Sequence, residues 1–329
     1  MASMLATLGL VFGGCCSNAL SLEHLTADYP DSAALLTFAQ FSIISLNGLR
    51  RHLIWTSRGP RLKPTQIPLR KYALQVLLFY ALSFLNNYAF AFKIPMAVHI
   101  IFRSGGLIVS LIMGWLIAGK RYSVHHVLSV VVVTLGVIFT TLSASPSSDL
   151  TASAIPTSVY YTGIGLLSVA LILSGLLGIV QDATYAQHKG SSPWEESMFY
   201  LHFLAMPMFA FMGEKILYQA QSLHSSASFQ SNIPVPSAYL LLLANVTTQL
   251  VCVAGVNRLT TQVNSLTVTL ILVVRKAVSL LVSVLLKGTA EHVDVTMLWA
   301  GAGLVLLGTV WYSYGSARAK TKEKGKKKD

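Results

Sequence analysis

Residues 265–286 read SLTVTLILVVRKAVSLLVSVLL, an apolar stretch that holds two adjacent cations, Arg275 and Lys276. A helix of this length crosses the roughly 30 Å of bilayer hydrocarbon. Residues 97–118, AVHIIFRSGGLIVSLIMGWLIA, carry Arg103 in the same manner. A charge at mid-bilayer depth costs about 2.5 to 3.5 kcal/mol, so it usually faces a bundle interior and marks a solute pathway. The two stretches therefore predict membrane helices with functional cations.

The composition of the whole chain agrees with a membrane protein. Of its 329 residues 53% are hydrophobic and 11% are charged, and the mean hydropathy is +0.61. A soluble domain of this size could not bury that much apolar surface. We predict an all-α polytopic membrane protein with ten transmembrane helices, near residues 4–22, 33–49, 72–92, 96–118, 124–142, 160–186, 197–217, 237–257, 262–286 and 294–314. Pro207 is expected to kink the seventh helix rather than end it.

The charge distribution predicts the orientation in the membrane. The net charge is +12, but the cations lie at segment ends and in the tail instead of in an aromatic-rich patch, which excludes nucleic-acid binding. With the N-terminus in the cytosol, most Lys and Arg fall in cytosolic loops and in the tail at 315–329, as the positive-inside rule requires. Both termini are then cytosolic, and the basic tail is suited to contact anionic membrane lipid.

A weak internal repeat is visible at an offset of 172 residues. Arg103 aligns with Arg275, and Leu135 and Gly136 align with Leu307 and Gly308. Five helices in each half would give two inverted repeats, 1–142 and 159–314, joined by a flexible luminal loop at 143–158. Glycines such as Gly163 and Gly301 suit helix contacts within one bundle or between two copies, so a homodimer stays an open alternative.

The intramembrane cations favour an anionic solute, because Asp182 is the single acid in a comparable position. Arg275 suits bidentate phosphate binding, and Lys276 adds a mobile point charge about 100° around the helix. Arg103 shares a helix face with His99, and ligand contact or a structural bridge would satisfy its charge equally well.

Polar and aromatic residues on other helices are candidates for the rest of a binding site. The candidates are Asn86, Asn87, Phe199, Tyr200, His202, Thr267 and Thr269. A buried Asn or Thr in a membrane helix more often joins helices than contacts a ligand. Phe199 and Tyr200 are stronger candidates, because an aromatic ring beside a polar group can stack on a nucleobase and bond its edge.

Signatures of catalysis, metal binding and disulfides are not found. No paired carboxylates share a predicted membrane helix, no phosphate-binding glycine loop occurs, and the histidines lack metal-ligand spacing with acids or cysteines, so neither enzyme activity nor a metal or other cofactor is predicted. Cys15, Cys16 and Cys252 are expected to be small buried apolar side chains, because three cysteines give no disulfide framework.

Several motifs resemble those of the nucleotide-sugar transporters in the drug/metabolite transporter superfamily. They cover almost the whole chain: GLVFGGCCSN at 9–18, TFAQF at 37–41, NNYAF at 86–90, HIIFRSG at 99–105, KRYS at 120–123, and SLTVTL with VVRKAVSL between 265 and 280. The resemblance is greatest to the branch that carries UDP-N-acetylglucosamine and UDP-xylose. It implies a ten-helix antiporter that moves a UDP-sugar from the cytosol into the lumen of the endoplasmic reticulum or Golgi in exchange for UMP.

The same resemblance assigns roles to individual residues. Arg275 and Lys276 match the family's basic motif in the ninth helix and would hold the phosphates. Phe199 and Tyr200 match the start of a motif that contacts the base. Leu201 replaces the Asn of that motif, so His202 or a residue on another helix would have to bond the base edge.

The basic C-terminal tail contains a candidate sorting signal. Lys326 and Lys327 stand fourth and third from the C-terminus, which is the spacing of a dilysine signal for return to the endoplasmic reticulum.

The alternative functions are an exporter of organic cations or other small metabolites on the same scaffold, with Asp182 as the cation-binding acid, and a membrane scaffold that transports nothing.

Overall fold

The protein was analysed as a computed structural model, which describes residues 2–57, 59–89, 105–143, 157–188, 193–226, 228–230, 233–287 and 294–325. Within these ranges the chain is almost entirely helical. The helices are α1 (Ala2–Gly9), α2 (Cys15–Asp28), α3 (Ala33–His52), α4 (Leu69–Tyr88), α5 (Gly106–Leu116), α6 (Val124–Ser143), α7 (Thr157–Gln187), α8 (Pro193–Phe203), α9 (Gly213–His224), α10 (Ser237–Gln262), α11 (Ser265–Lys287) and α12 (Val295–Gly325).

Two small antiparallel hairpins interrupt the helices. Strand β1 (Leu53–Thr56) pairs with β2 (Gly59–Leu62), and β3 (Ser228–Gln230) pairs with β4 (Ile233–Pro236). Gly59 has a φ of 105° at the first turn, a conformation that glycine adopts without steric cost. The hairpins lie between apolar segments, so the fold remains an all-α polytopic membrane protein.

Five helices in the described ranges are long and apolar enough to cross a bilayer. They are Met4–Leu25, Val124–Ser143, Tyr161–Gln187, Ser237–Gln262 and Val295–Gly315, with hydropathies between 1.5 and 2.4. Each of the ten predicted windows contains a helix in its described part. The number of ten membrane crossings remains a prediction.

Pro207 was expected to kink the seventh helix rather than end it, and this expectation was wrong, because the α-helix ends before Pro207. Helix α8 ends at Phe203, a 3-10 segment covers Met206–Met212, and α9 begins at Gly213. Proline lacks an N–H and its ring clashes with the preceding turn, which explains the change of helix type. A π-helical segment at Leu10–Gly14 similarly joins α1 to α2.

The described chain forms two compact units. The first contains Met1–Val76 and Asp182–Val263, and the second contains Leu77–Gln181 and Asn264–Asp329. Each unit combines segments from both halves of the sequence. Two inverted repeats can exchange helices between compact units, because the members of one repeat need not pack against each other. The division of the chain into repeats at 1–142 and 159–314 therefore stays a prediction.

Close backbone contact holds the first unit together. A Cβ added to Gly14 would lie 2.7 Å from the backbone nitrogen of Cys252, and one added to Gly255 would lie 2.9 Å from the backbone nitrogen of Val11. At this contact Cys15 and Cys252 form a disulfide, while Cys16 is free. The expectation of three unpaired cysteines was therefore wrong, because packing brings together two residues that lie 237 positions apart.

A buried amide network joins the same helices further along their length. Asn245 is fully buried. Its Nδ2 donates to the backbone oxygen of Asn18 at 3.2 Å and to Ser21 Oγ at 3.1 Å, and its Oδ1 accepts from Gln40 Nε2 at 2.6 Å. The amide of Asn245 thus bonds to two neighbouring helices, as polar groups in apolar surroundings generally do.

In the second unit, α6 and α12 pack closely through glycines. A Cβ added to Gly136 would lie 2.7 Å from the carbonyl oxygen of Gly301 and 2.8 Å from the nitrogen of Val305. A Cβ added to Gly308 would lie 2.6 Å from Val133 Cγ2. Glycine is needed at both positions because the two backbones are nearly in contact.

Candidate functional site

Some predicted site residues fall outside the described chain. Arg103, Lys326 and Lys327 lie outside the described ranges, and so does the side chain of Asn87. Their predicted roles stay predictions.

Arg275 and Lys276 lie in the middle of α11. They are the eleventh and twelfth of its 23 residues, so about 15 Å of helix precedes Arg275. Asn264 starts the helix by accepting a hydrogen bond from the Thr267 amide at 2.9 Å, as N-cap residues do. The Arg275 side chain is half-buried and that of Lys276 is exposed, and both have interaction partners in the protein. Two neighbouring cations here could engage different oxygens of one phosphorylated ligand.

The hydroxyl groups of Thr267 and Thr269 bond to the protein itself. Thr267 Oγ1 donates to Asn264 Oδ1 at 2.9 Å and lies 3.0 Å from the hydroxyl oxygen of Tyr312. Thr269 Oγ1 donates to the backbone oxygen of Ser265 at 2.9 Å. Such contacts favour a structural role for both threonines.

Asn86 is also bonded within its own helix. Its Nδ2 donates to the Leu82 carbonyl oxygen at 2.9 Å. One amide hydrogen of Asn86 is thereby occupied by the backbone of α4, and its predicted contact with a solute stays a prediction.

Phe199 is fully buried on α8. Its ring stacks on His52, with centroids 4.9 Å apart and planes at 8°. Gly48 makes room for the ring, since a Cβ added there would lie 2.6 Å from Phe199 Cδ2. In this conformation a nucleobase could stack on that face of Phe199 only by displacing His52.

Tyr200 belongs to a second aromatic contact. It is 3% exposed and stacks on Tyr72, with centroids 5.4 Å apart and planes at 15°. Ile67, Tyr185 and Phe199 complete this cluster. The two rings predicted to bind a base are thus both covered by protein side chains in this conformation.

His202 is held by its own helix. Its Nδ1 lies 2.7 Å from the Met198 carbonyl oxygen, and its ring packs on Phe41 at 4.7 Å. With Nδ1 and one ring face occupied, His202 is a weaker candidate than the sequence suggested for bonding the edge of a base.

Two neighbouring glutamates at the start of α8 were missed by the sequence reasoning. Pro193 is the first residue of α8 and Glu195 and Glu196 lie in its first turn, where the helix dipole favours acids. Glu195 pairs with Arg51 at 2.6 Å. The signal available in the sequence was the motif PWEES, which is typical of a helix start but gives no information on partners.

Glu196 is 5% exposed and connects α8 to the segment before α4. Its Oε2 accepts from the Gln66 amide at 2.9 Å. Its Oε1 accepts from the Ile67 amide at 3.0 Å and from the Tyr72 hydroxyl at 3.2 Å. Three neutral donors satisfy the buried carboxyl group, so Glu196 fixes the position of the chain beside the aromatic cluster.

A half-open cavity of about 190 Å³ lies within the first unit. Leu10, Leu250, Val251 and Ala254 form an apolar wall. The remaining lining residues come from α3 and α8 and are Asn47, Gly48, Arg51, His52, Trp194, Glu195, Met198 and Phe199. One predicted base-contact residue therefore belongs to the wall of a cavity.

Comparison with known proteins places the chain among membrane transporters. A solved crystal structure with 14% sequence identity aligns over 97% of this chain and 99% of its own, with a TM-score of 0.63, which shows a common fold. The UDP-xylose and UDP-N-acetylglucosamine transporter of Danio rerio is 37% identical over 316 residues, or 92% of each chain. The endoplasmic reticulum GDP-fucose transporter of Drosophila melanogaster is 37% identical over 331 residues, or 94% of this chain and 90% of its own. The sequence model of the UAA transporter family matches residues 3–316, and the chain belongs to that family.

Proposed function

We propose that this protein is a nucleotide-sugar antiporter that carries UDP-N-acetylglucosamine, and secondarily UDP-xylose, from the cytosol into the lumen of the endoplasmic reticulum or Golgi in exchange for UMP. The observation that carries the proposal is the similarity, over 92% of both chains, to a transporter named for these two sugars. The paired cations in the middle of α11 support it, because a diphosphate needs positive charge along its path.

Arg275 and Lys276 are the proposed phosphate ligands. A guanidinium group binds two phosphate oxygens at once, and the neighbouring ammonium group can reach a third. UDP-sugar and UMP share a uridine and a phosphate, so one set of residues can bind both. A shared set of ligands is what exchange through a single site requires.

The proposed orientation places both termini in the cytosol. This orientation is supported by the concentration of Lys and Arg in the tail and in the loops that lie on the same side of the membrane as the N-terminus. Residence in the endoplasmic reticulum is supported by a relative that is named for that compartment.

Two inverted five-helix repeats are part of the proposal. At the offset of 172, Gly136 corresponds to Gly308, Val133 to Val305, and Ser129 to Gly301. Gly136 approaches Val305 and Gly301, while Gly308 approaches Val133 and Ser129. The contact is therefore the same when the two helices are exchanged, as across a two-fold axis. The pairing is antiparallel, so this axis runs perpendicular to the helices and would lie in the membrane plane, as inverted repeats require.

The test is uptake of radiolabelled UDP-N-acetylglucosamine into liposomes that contain the purified protein. Liposomes preloaded with UMP should take up the sugar nucleotide at least tenfold faster than empty ones. Arg275→Ala should abolish this uptake, while Arg70→Ala, which removes an exposed arginine at the start of α4, should leave it unchanged. Equal uptake with and without UMP, or full activity of Arg275→Ala, would reject the mechanism.

A GDP-sugar is the second candidate substrate, because the relative named for GDP-fucose is as similar in sequence as the one named for UDP-sugars. Competition by unlabelled uridine and guanosine nucleotides separates the two. The cation-exporter alternative predicts thermal stabilisation by lipophilic cations, whereas the proposed carrier is stabilised by UMP.

A further inference from the structure

The cavity in the first unit contains an amide that the fold leaves available. Asn47 lies on α3 and lines the cavity. Its side chain is exposed, and it makes no hydrogen bond to any part of the chain that the structure describes. By contrast, Gln40, two turns earlier on the same helix, bonds Asn245 at 2.6 Å. The polar group of Asn47 is thus directed at a space and not at a neighbouring helix.

Aromatic groups form the cavity wall beside this amide. His52 is five residues further along α3, and its Nδ1 lies 2.9 Å from the Gly48 carbonyl oxygen. A neutral imidazole held in this way carries its proton on Nδ1. Phe199 backs the His52 ring, and Trp194 is a further aromatic group in the lining. Flat side chains and one amide are the usual elements of a site that recognises a planar heterocycle.

The size of the cavity limits what it can hold. Its volume of about 190 Å³ is below the roughly 300 to 1,000 Å³ of pockets that enclose a whole drug-sized ligand. One ring fits, and a complete nucleotide sugar does not. Arg51 and Glu195 also line it and are partly exposed, with 57% and 32% of their side chains accessible. The charged groups of a ligand could therefore remain outside the apolar part.

From this arrangement we infer that Asn47 forms hydrogen bonds with the edge of the uracil ring during transport. The inference rests on the proposed function. Uracil presents an N3–H donor between two carbonyl acceptors. The Asn47 carbonyl oxygen accepts from N3–H, and its NH₂ donates to a neighbouring uracil carbonyl, so one amide makes two hydrogen bonds. Either bond left unmade in a buried site weakens binding.

The test compares UMP with 3-methyl-UMP, in which the N3–H donor is missing, as inhibitors of UDP-sugar uptake. Wild-type protein should bind 3-methyl-UMP at least tenfold more weakly than UMP. In Asn47→Leu, UMP should inhibit at least tenfold more weakly, and N3 methylation should cause no further loss. Leu46→Ala, which alters the exposed neighbour of Asn47, should keep the wild-type ratio.

A purely structural role for Asn47 would lower the uptake rate but leave the ratio between the two inhibitors intact. An equal methylation penalty in wild type and Asn47→Leu therefore overturns the inference, and so does equal inhibition of wild-type protein by both compounds. Failure of the wild-type protein to take up UDP-sugar at all would instead reject the proposed function.

Discussion

Glu196 provides the most direct test of the packing around the aromatic cluster. Replacing it by Ala removes the acceptors of three hydrogen bonds, those from the amides of Gln66 and Ile67 and from the Tyr72 hydroxyl. Ile67 and Tyr72 have no exposed surface, so their donors cannot turn to solvent. An unsatisfied buried donor costs about 1 to 3 kcal/mol, and the amide of Gln66, which is an exposed residue, adds less. We expect Glu196→Ala to lower the free energy of unfolding by about 4 kcal/mol.

Two further variants should lose less stability than Glu196→Ala. Glu196→Gln keeps one carbonyl oxygen but turns an NH₂ towards one donor, so it should lose roughly half as much stability. Glu195→Gln breaks a partly exposed ion pair with Arg51 and should cost less than about 1 kcal/mol. Unfolding of the purified protein in mixed micelles, followed by circular dichroism as denaturing detergent is added, measures all three.

Hydrogen exchange provides a local readout. The amides of Gln66 and Ile67 should exchange faster in Glu196→Ala than in wild type, while amides in α10 should change little. A free energy of unfolding for Glu196→Ala within about 0.5 kcal/mol of the wild-type value would show that these hydrogen bonds do not stabilise the protein. Unchanged exchange rates of the two amides would show the same.

Two more predictions concern the contact between the N-terminal segment and α10. Gly14→Ala should destabilise the protein by about 1 to 3 kcal/mol, because its Cβ would lie 2.7 Å from the Cys252 backbone. Gly13→Ala is the control and should be neutral in the same unfolding assay, because nothing lies within 4 Å of a Cβ added there. Equal stability of the two variants would contradict the close approach. Mass spectrometry after alkylation under non-reducing conditions should find Cys16 modified and a Cys15–Cys252 cross-link, and a Cys16–Cys252 cross-link would show that the segment is rotated.

The sequence was sufficient to assign the class of protein and to locate its central charges. Hydropathy is a property of consecutive residues, so windows of about 20 apolar residues predicted helices where the structure has them. The same local information placed Arg275 and Lys276 in the middle of α11. At Pro207 it predicted a kink within one helix, whereas the α-helix ends at Phe203 and a 3-10 segment follows. Family membership also followed from motifs spread over nearly the whole chain, and the match at 3–316 confirms it.

The site itself could be predicted only in part. Phe199 and Tyr200 were recognised as aromatic residues beside polar groups, but nothing near them in sequence showed that His52 and Tyr72 cover their rings. Glu196 looked like an ordinary acid in the first turn of a helix, although its three partners lie in the segment before α4 and at its start. Nothing in the sequence distinguishes Asn47 from other amides in apolar segments. Only the structure shows that Gln40 bonds to Asn245 while Asn47 lines a cavity.

The sequence by itself determined that this chain lies in a membrane, and it determined how far along its own helix each charged residue lies. What only the tertiary structure decided was which helix faces meet, as the disulfide shows most clearly. Cys15 and Cys16 are chemically identical and adjacent, and they point about 100° apart on their helix. The packing of Gly14 and Gly255 across the contact sets the rotation that brings Cys15 to Cys252. Such a rotation depends on side chains more than 200 residues apart, and no local pattern specifies it.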